Sequence, residues 1–314
     1  MKKLKHTLKD VTEADLPATR REVFRDCYRE QFSVIFRLGL ITLGGFLPCL
    51  FVLWLRDAYL SQAAAGGDVT GALRAANIRY GLPLVLAAAL FFMVFSGVVR
   101  VLRQLLWREP VFFGDDFRRG FRSDAFRFAL IALFTAAVRL FIGSLSGSVV
   151  TYLLFGVYLT LVLPVAAWTL LQNVYYKVSV FGGVRNGVLH YLRSLPVTLL
   201  FVLVTALPLF AALTFVPVVV RYPLLFLFAL FGIVPLAMMW LLYASHLFDR
   251  TINRETYPGI WRRGLRPLPP DTTSETPAAS DDAPSEGDDA DEGNTPGEGN
   301  NTSEKTDAGE ERSD

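Results

Sequence analysis

Side chains that could perform acid–base or metal chemistry are sparse along this chain of 314 residues. His190 lies in a stretch from Ala125 to Phe248 that contains no Asp or Glu. General acid–base catalysis and metal coordination both need several such groups close together. Cys27 and Cys49 are the only cysteines, too few for a thiolate zinc site or a disulfide framework. The sequence therefore predicts no catalytic residue, no metal and no cofactor.

Motifs of the common enzyme classes are missing as well. The sequence contains no nucleotide phosphate loop, no HExxH, no CxxC and no GxSxG. The glycines between Gly182 and Gly187 lack the spacing and the strand-to-helix context of a dinucleotide site. We therefore expect that the protein is not an enzyme.

The charged side chains that fall within the apolar runs are arginines: Arg37, Arg127 and Arg139. Arg37 and Arg127 lie near predicted cytoplasmic ends, where a long side chain can reach the headgroups. Arg139 falls near the outer end of its run, and it either extends to the outer headgroups or binds an anionic or sugar ligand. Because no run contains a carboxylate, proton-coupled transport is disfavoured.

These residues would be positioned by helices that cross a membrane. The chain is 52% hydrophobic and 19% charged, and its mean hydropathy of +0.37 is unusual for a water-soluble protein. A helix needs about 20 apolar residues to cross a bilayer. Six runs of about this length predict an all-α polytopic membrane protein: 32–55, 82–99, 125–142, 149–171, 195–220 and 223–248.

The distribution of cations predicts how these spans are oriented. The segments 1–31, 100–124, 172–194 and 249–266 together carry 22 Lys and Arg, whereas the intervening loops carry four. Short loops rich in cations stay in the cytoplasm. We therefore expect a multi-pass protein of the cell membrane with both termini cytoplasmic. Membrane apposition also accounts for the basic residues without nucleic-acid binding.

Two segments that we expect in the cytoplasm are predicted to form amphipathic helices at the membrane interface. In the first, Phe117 and Phe121 recur at helical spacing while Arg118 and Arg119 occupy other faces. It would either dock a partner or anchor in the headgroups.

The second segment runs from Asn173 to Pro196, with Tyr175, Tyr176 and Val184 among its predicted apolar face. Arg185 and His190 should lie nearer to water. The prolines and glycines within the spans predict kinks, or alternatively broken helices around a midplane substrate site.

Charge also divides the chain into regions. Residues 1–266 hold 29 Lys and Arg against 14 Asp and Glu, whereas residues 267–314 hold 2 against 15. The tail is almost devoid of large apolar residues, which predicts disorder. We expect a mixed-charge N-terminal segment 1–31, a six-helix domain 32–266 and a disordered acidic tail 267–314.

Three segments between residues 30 and 266 carry a family resemblance: FFGDDFRRGFRSDAFRFAL (112–130), NGVLHYLRSLPVTLL (186–200) and LFDRTINRETYPGIWRRGL (247–265). Together with the order of the spans, these segments resemble the YesL family, bacterial and archaeal membrane proteins that carry a domain of unknown function. Several family members are encoded near carbohydrate uptake systems. The resemblance therefore implies an accessory role beside an importer and defines no catalytic residue. Segment 63–80 looks like an insertion that lengthens the first outer loop.

Two functions are consistent with these features. The first is a non-catalytic accessory or permease-like component of carbohydrate uptake, with the lipid bilayer and importer subunits as partners. The alternative is a self-sufficient transporter or channel for a small neutral or anionic solute. The candidate interaction or ligand residues are Phe117, Arg118, Arg119, Phe121, Arg139, Arg185 and His190.

Overall fold

The computed structural model describes residues 16–64, 67–145, 149–176 and 178–267. In these ranges the chain forms α-helices and two short π-helical segments, and no strand occurs. The all-α prediction is therefore confirmed. Most of the acidic tail and residues 1–15 lie outside the described residues, so their predicted properties stay predictions.

The helices follow one another along the chain with short connections. They are α1 (Arg20–Glu30), α2 (Phe32–Ala64), α3 (Val69–Leu106), α4 (Phe113–Ser144), α5 (Val149–Val157), α6 (Leu163–Tyr175), α7 (Val180–Arg193), α8 (Leu195–Phe215), α9 (Val218–Phe231), α10 (Ile233–Phe248) and α11 (Arg254–Thr256). The π-helical segments are Tyr158–Val162, between α5 and α6, and Asp249–Asn253, between α10 and α11.

Five helices among the described residues are long and apolar enough to cross a membrane, or six if a bent pair counts as one span. The five are α2, α3, α4, the continuous run α5–α6, and α8. The bent pair consists of Val218–Phe231 and Ile233–Thr256, which meet at 46°. Each predicted run thus corresponds to one of these helices or to the pair.

The first outer loop differs from its prediction. Helices α2 and α3 have 33 and 38 residues, which corresponds to lengths of about 50 and 57 Å. Both continue beyond the apolar runs, and α3 begins where Asp68 accepts a hydrogen bond from the Gly71 N–H at 2.8 Å. Most of the segment 63–80 is therefore helix, because it is rich in alanine and its one glycine pair precedes Asp68.

Prolines and glycines affect the first span and the last two spans in different ways. Pro48 and Pro208 lie inside α2 and α8, which continue past them. The fifth span ends at Phe215 rather than at the predicted residue 220, because Pro217 stands before α9. The last span breaks at Gly232, three residues before Pro235, which cannot donate a backbone hydrogen bond.

The bundle has two ends, which we call near and far. The near end holds α1, the α3–α4 connection and residues 257–267, and the far end holds the α2–α3 and α4–α5 connections. Large, fully buried side chains concentrate in the near half, including Leu38, Leu102, Trp168 and Phe248. Tight helix contacts support this core: a Cβ on Gly120 of α4 would lie 3.1 Å from the Gly97 Cα of α3.

Candidate functional site: the near end of the bundle

Helix α1 folds onto the near end as an amphipathic helix. It begins with a capping box in which Thr19 Oγ1 accepts from the Glu22 N–H at 3.3 Å and Glu22 Oε2 accepts from the Thr19 N–H at 3.4 Å. Val23 and Cys27 are completely buried against the main core. The mixed-charge segment 1–31 therefore contains a helix that packs on the bundle.

An ion pair joins α1 to the segment that follows α10. Arg20 Nη2 lies 2.6 Å from Asp249 Oδ2, and both side chains are nearly buried. The other oxygen of Asp249 accepts from Asn253 Nδ2 at 2.9 Å and from the Arg262 N–H at 3.2 Å. Arg20 Nη1 also donates to the Arg263 carbonyl at 3.0 Å. One carboxylate thus ties three parts of the near end together.

The α3–α4 connection completes this structure. The Trp107 ring has the guanidinium carbons of Arg103 and Arg263 at 4.7 and 4.9 Å from its centroid. Arg263 Nη2 also pairs with Glu109 at 2.6 Å. Gly264 has φ +79°, and a Cβ there would lie 2.7 Å from the Leu106 carbonyl oxygen. The chain after α11 therefore closes over the end of α3.

Sequence reasoning did not single out Arg20, Trp107, Asp249 or Arg263. Asp249 and Arg263 belong to the segment 247–265 that carries part of the family resemblance. The signal was the change from apolar residues to alternating acid, base and aromatic residues at the end of the last span. Nothing in the sequence indicated that Arg20 is the partner of Asp249.

The first predicted amphipathic helix is part of a membrane-spanning helix. Helix α4 runs without interruption for 32 residues, so no separate interfacial helix precedes the third span. Phe117 and Phe121 are partly buried, and a Cβ on Gly97 of α3 would lie 2.6 Å from the Phe117 ring. Phe117 therefore packs against α3 and the core rather than forming a free docking surface, and Phe121 is only partly exposed.

The cations of α4 lie on its other face. Arg118, Arg119 and Arg122 are exposed and form no ion pair with another described residue. Phe112 and Phe126 are exposed beside them. We call these five residues the basic face. Asp116, in the first turn of α4, accepts from the Phe112 N–H at 2.7 Å and from Gln104 Nε2 at 3.0 Å.

The second predicted amphipathic helix corresponds to α7. Gly183 and Gly187 face α6 so closely that a Cβ on Gly187 would lie 2.9 Å from Thr169 Oγ1. The opposite face exposes Arg185 together with apolar side chains, of which Phe181 is 89% exposed. Val184, predicted on the packed apolar face, is also exposed.

His190 lies on the packed side of α7, contrary to the prediction that it is nearer to water. It is 8% exposed, and its ring centroid lies 5.7 Å from that of Trp168 and 5.2 Å from that of Phe248. Burial, assisted by the charge of Arg193, lowers the pKa of His190 below its usual value. It is separated from Arg185, which points to the opposite face of the helix.

Arg139 lies near the far end of α4, and the structure does not bring it together with the other predicted site residues. Its guanidinium carbon stands 5.0 Å above the Phe155 ring. No described residue forms an ion pair with it. Among the candidate ligand residues, Arg139 is the one that lies in the far half of the bundle, where Arg56 is a neighbouring cation.

A cavity of about 290 Å³ lies between α3, α4, α6, α8 and α10. Its lining is apolar except for Thr135 and Thr205. Both hydroxyls already contact carbonyls of their own helix, Thr135 at 3.0 Å from the Ile131 oxygen and Thr205 at 2.8 Å from the Phe201 oxygen. The cavity therefore suits hydrocarbon better than a sugar, which needs free hydrogen-bonding groups.

Comparison of the chain with protein-family models, with curated proteins and with solved structures finds no match. The resemblance to the YesL family accordingly stays a prediction that depends on the three segments quoted above. Among the described residues, no group of three or more His, Cys, Asp or Glu side chains is placed to hold a metal ion.

Proposed function

We propose that the protein is a non-catalytic membrane component that binds another membrane assembly through its near end, with a carbohydrate importer as the partner. The near end would face the cytoplasm. The observation that carries this proposal is the basic face, where three exposed arginines lie beside two exposed phenylalanines along the first turns of α4. Aromatic and arginine side chains are the groups that contribute most to protein interfaces.

The contacts that close the near end, together with the apolar cavity between the spans, support partner binding rather than passage of a solute through the bundle. Ion pairs and arginine–aromatic contacts hold α1 and residues 257–267 over the core. Within the bundle, the cavity between the spans offers no free polar group to a sugar. The carbohydrate importer itself comes from the family resemblance, whereas the basic face indicates a partner surface with negative charge.

Affinity purification from mild detergent tests this function. The tagged full chain should recover importer subunits, and an Arg118→Gln/Arg119→Gln variant should recover at least about tenfold less. An Arg21→Gln/Arg29→Gln variant is the matched control, because both arginines are exposed on α1 at the same end. Recovery that is equal for the two variants, or a purified chain without any partner, would contradict the proposal.

The acidic tail carries 15 Asp and Glu, so competition between the tail and a partner for the basic face is a second outcome that the test must distinguish. A variant that lacks residues 271–314 separates the two cases, because removal of a competing tail should increase partner recovery. If the tail alone occupies the face, Arg118→Gln/Arg119→Gln will change tail cross-linking and leave the recovery of every membrane protein unchanged.

The alternative function is transport of a small neutral or anionic solute by the chain alone. The 46° break at Gly232 and the far position of Arg139 favour it. Solute flux into liposomes that contain only this protein tests it, with Arg139→Gln as the variant. Flux no faster than in empty liposomes would exclude the alternative.

A further inference from the structure

A connected group of polar side chains lies in the far half of the bundle. Arg56 and Asp57 belong to α2, Arg139 to α4 and Arg221 to α9. In the described part of the chain, Asp57 is the one carboxylate that pairs with any of these arginines. Three guanidinium groups accompany one carboxylate, so the group has an excess of positive charge.

The closest ion pair of Asp57 is with Arg221. Asp57 Oδ2 lies 2.5 Å from Arg221 Nη1 and accepts from the Tyr222 hydroxyl at 2.9 Å. Arg221 also donates to the Val216 carbonyl at 3.2 and 3.0 Å. Arg56 reaches the other oxygen of Asp57 only at 3.6 Å. The charge of Arg56 is therefore weakly compensated.

Asn77 of α3 links Arg56 to the last turn of α4, which also carries Arg139. Its Oδ1 is 3.4 Å from Arg56 Nη2, and its Nδ2 donates to the Gly143 carbonyl at 3.0 Å. A Cβ placed on Gly143 would lie 3.1 Å from Arg139 Nη1 and 3.5 Å from Asn77 Nδ2. Asn77 thus contacts Arg56 of α2 and the same turn of α4 against which the Arg139 guanidinium lies. Two like charges in an apolar region repel strongly, and an anion between them would relieve this cost.

Tyr158 adds a hydroxyl donor to the same place. It is 9% exposed, stacks on Phe155 with centroids 6.2 Å apart, and lies near enough to Arg139 to feel its charge. Its hydroxyl has no hydrogen-bond partner within the described ranges. Tyr158 also begins the π-helical segment Tyr158–Val162. Such segments are frequently found at functional sites.

We propose that Arg56, Arg139 and Tyr158 bind a phosphate group, which belongs either to an anionic lipid headgroup or to a free phosphate-bearing solute. Guanidinium groups present paired N–H donors that match phosphate oxygens, and the tyrosine hydroxyl supplies a third kind of donor. A neutral sugar would leave the excess charge uncompensated. This site is independent of the basic face, so either proposal can fail without the other.

The experiment uses the full chain, purified in mild detergent and stripped of lipid. In one arm, native mass spectrometry measures retention of phosphatidylglycerol against phosphatidylcholine. In the other arm, inorganic phosphate is added at constant ionic strength and the melting temperature is recorded. Arg139→Gln should weaken about tenfold the binding that appears as retention of phosphatidylglycerol or as the rise in melting temperature with phosphate. Arg79→Gln should leave it unchanged, because Arg79 lies over Tyr59 and Tyr80 at the same end without joining the group.

Two further variants keep the test valid if Arg139→Gln does not fold. Arg139→Lys keeps the charge but loses the paired donors, and Tyr158→Phe removes a single hydroxyl. Each should weaken binding several-fold while the protein remains folded. A response confined to the lipid arm identifies a headgroup, and a response to inorganic phosphate identifies a solute. Binding in both arms that is the same for wild type, the folded site variants and Arg79→Gln would overturn the proposal.

Discussion

Arg20 and Asp249 form an ion pair at 2.6 Å although 229 positions separate them in the chain. The pair joins the first helix to the end of the last span. Because Asp249 also accepts hydrogen bonds from Asn253 and the Arg262 N–H, it organises the near end rather than linking two helices alone.

Replacement of Asp249 should therefore destabilise the protein. Asp249→Asn removes the charge that compensates the nearly buried Arg20 guanidinium, and we expect a loss of about 2–4 kcal/mol in the free energy of unfolding. Chemical denaturation in detergent measures it. Arg25→Gln is the control, since the Arg25 side chain is 76% exposed and lies 3.9 Å from its partner. Similar stability of the two variants would mean that the pair contributes little.

Gly264 should be intolerant of any side chain. Gly264→Ala combines a φ of +79° with a Cβ only 2.7 Å from the Leu106 oxygen, and we expect a cost of about 1–3 kcal/mol. Limited proteolysis should then cleave the residues after α11 faster. Gly259→Ala serves for comparison, because no atom lies within 4 Å of a Cβ at that position. Equal cleavage of the two variants would show that residues 257–267 do not depend on this contact.

Because of His190, the free energy of unfolding should decrease at acidic pH. Burial lowers its pKa below the usual 6.5, so the folded state favours the neutral ring. Its contribution is fully present above pH 6.5 and is lost as the pH falls through the folded-state pKa. Trp168 and Phe248 pack on the ring, and Arg193 is the charged neighbour that opposes its protonation.

His190→Phe should keep the aromatic packing and reduce the loss of melting temperature below pH 6.5. His246→Gln should preserve the wild-type acid dependence, because His246 is exposed. An acid profile of His190→Phe identical to that of wild type would refute this role for the buried ring.

Cys27 should be unreactive in the folded protein. Burial raises its pKa from 9.0 to about 11, which outweighs the opposite effect of Arg108. The folded state favours the thiol, so this contribution is present below pH 9 and lost as the pH rises through about 11. In a Cys49→Ala background, maleimide labelling at neutral pH should be slow and should accelerate when Asp249→Asn loosens α1. Fast labelling of Cys27 in the Cys49→Ala protein with Asp249 intact would contradict the observed burial of Cys27.

Local composition was sufficient to predict much of the fold. Each apolar run identifies its own span, because the free energy of placing a helix in lipid depends mainly on the residues of that helix. The same reasoning failed beyond the runs. It treated residues 63–80 as loop, although helix formation there needs no apolar face, and it separated the start of α4 from the span that follows.

Contacts across the bundle were decided by the tertiary structure alone. The sequence showed that Arg139 is a cation in an apolar run and that His190 lacks a nearby carboxylate. Only the folded chain places Arg139 beside Asn77 and buries His190 against Trp168 and Phe248. The hydropathy of a span depends only on the residues of that helix. Charge pairing and ring packing depend on which helices are neighbours, and the neighbours are determined by how the side chains of all the helices fit together.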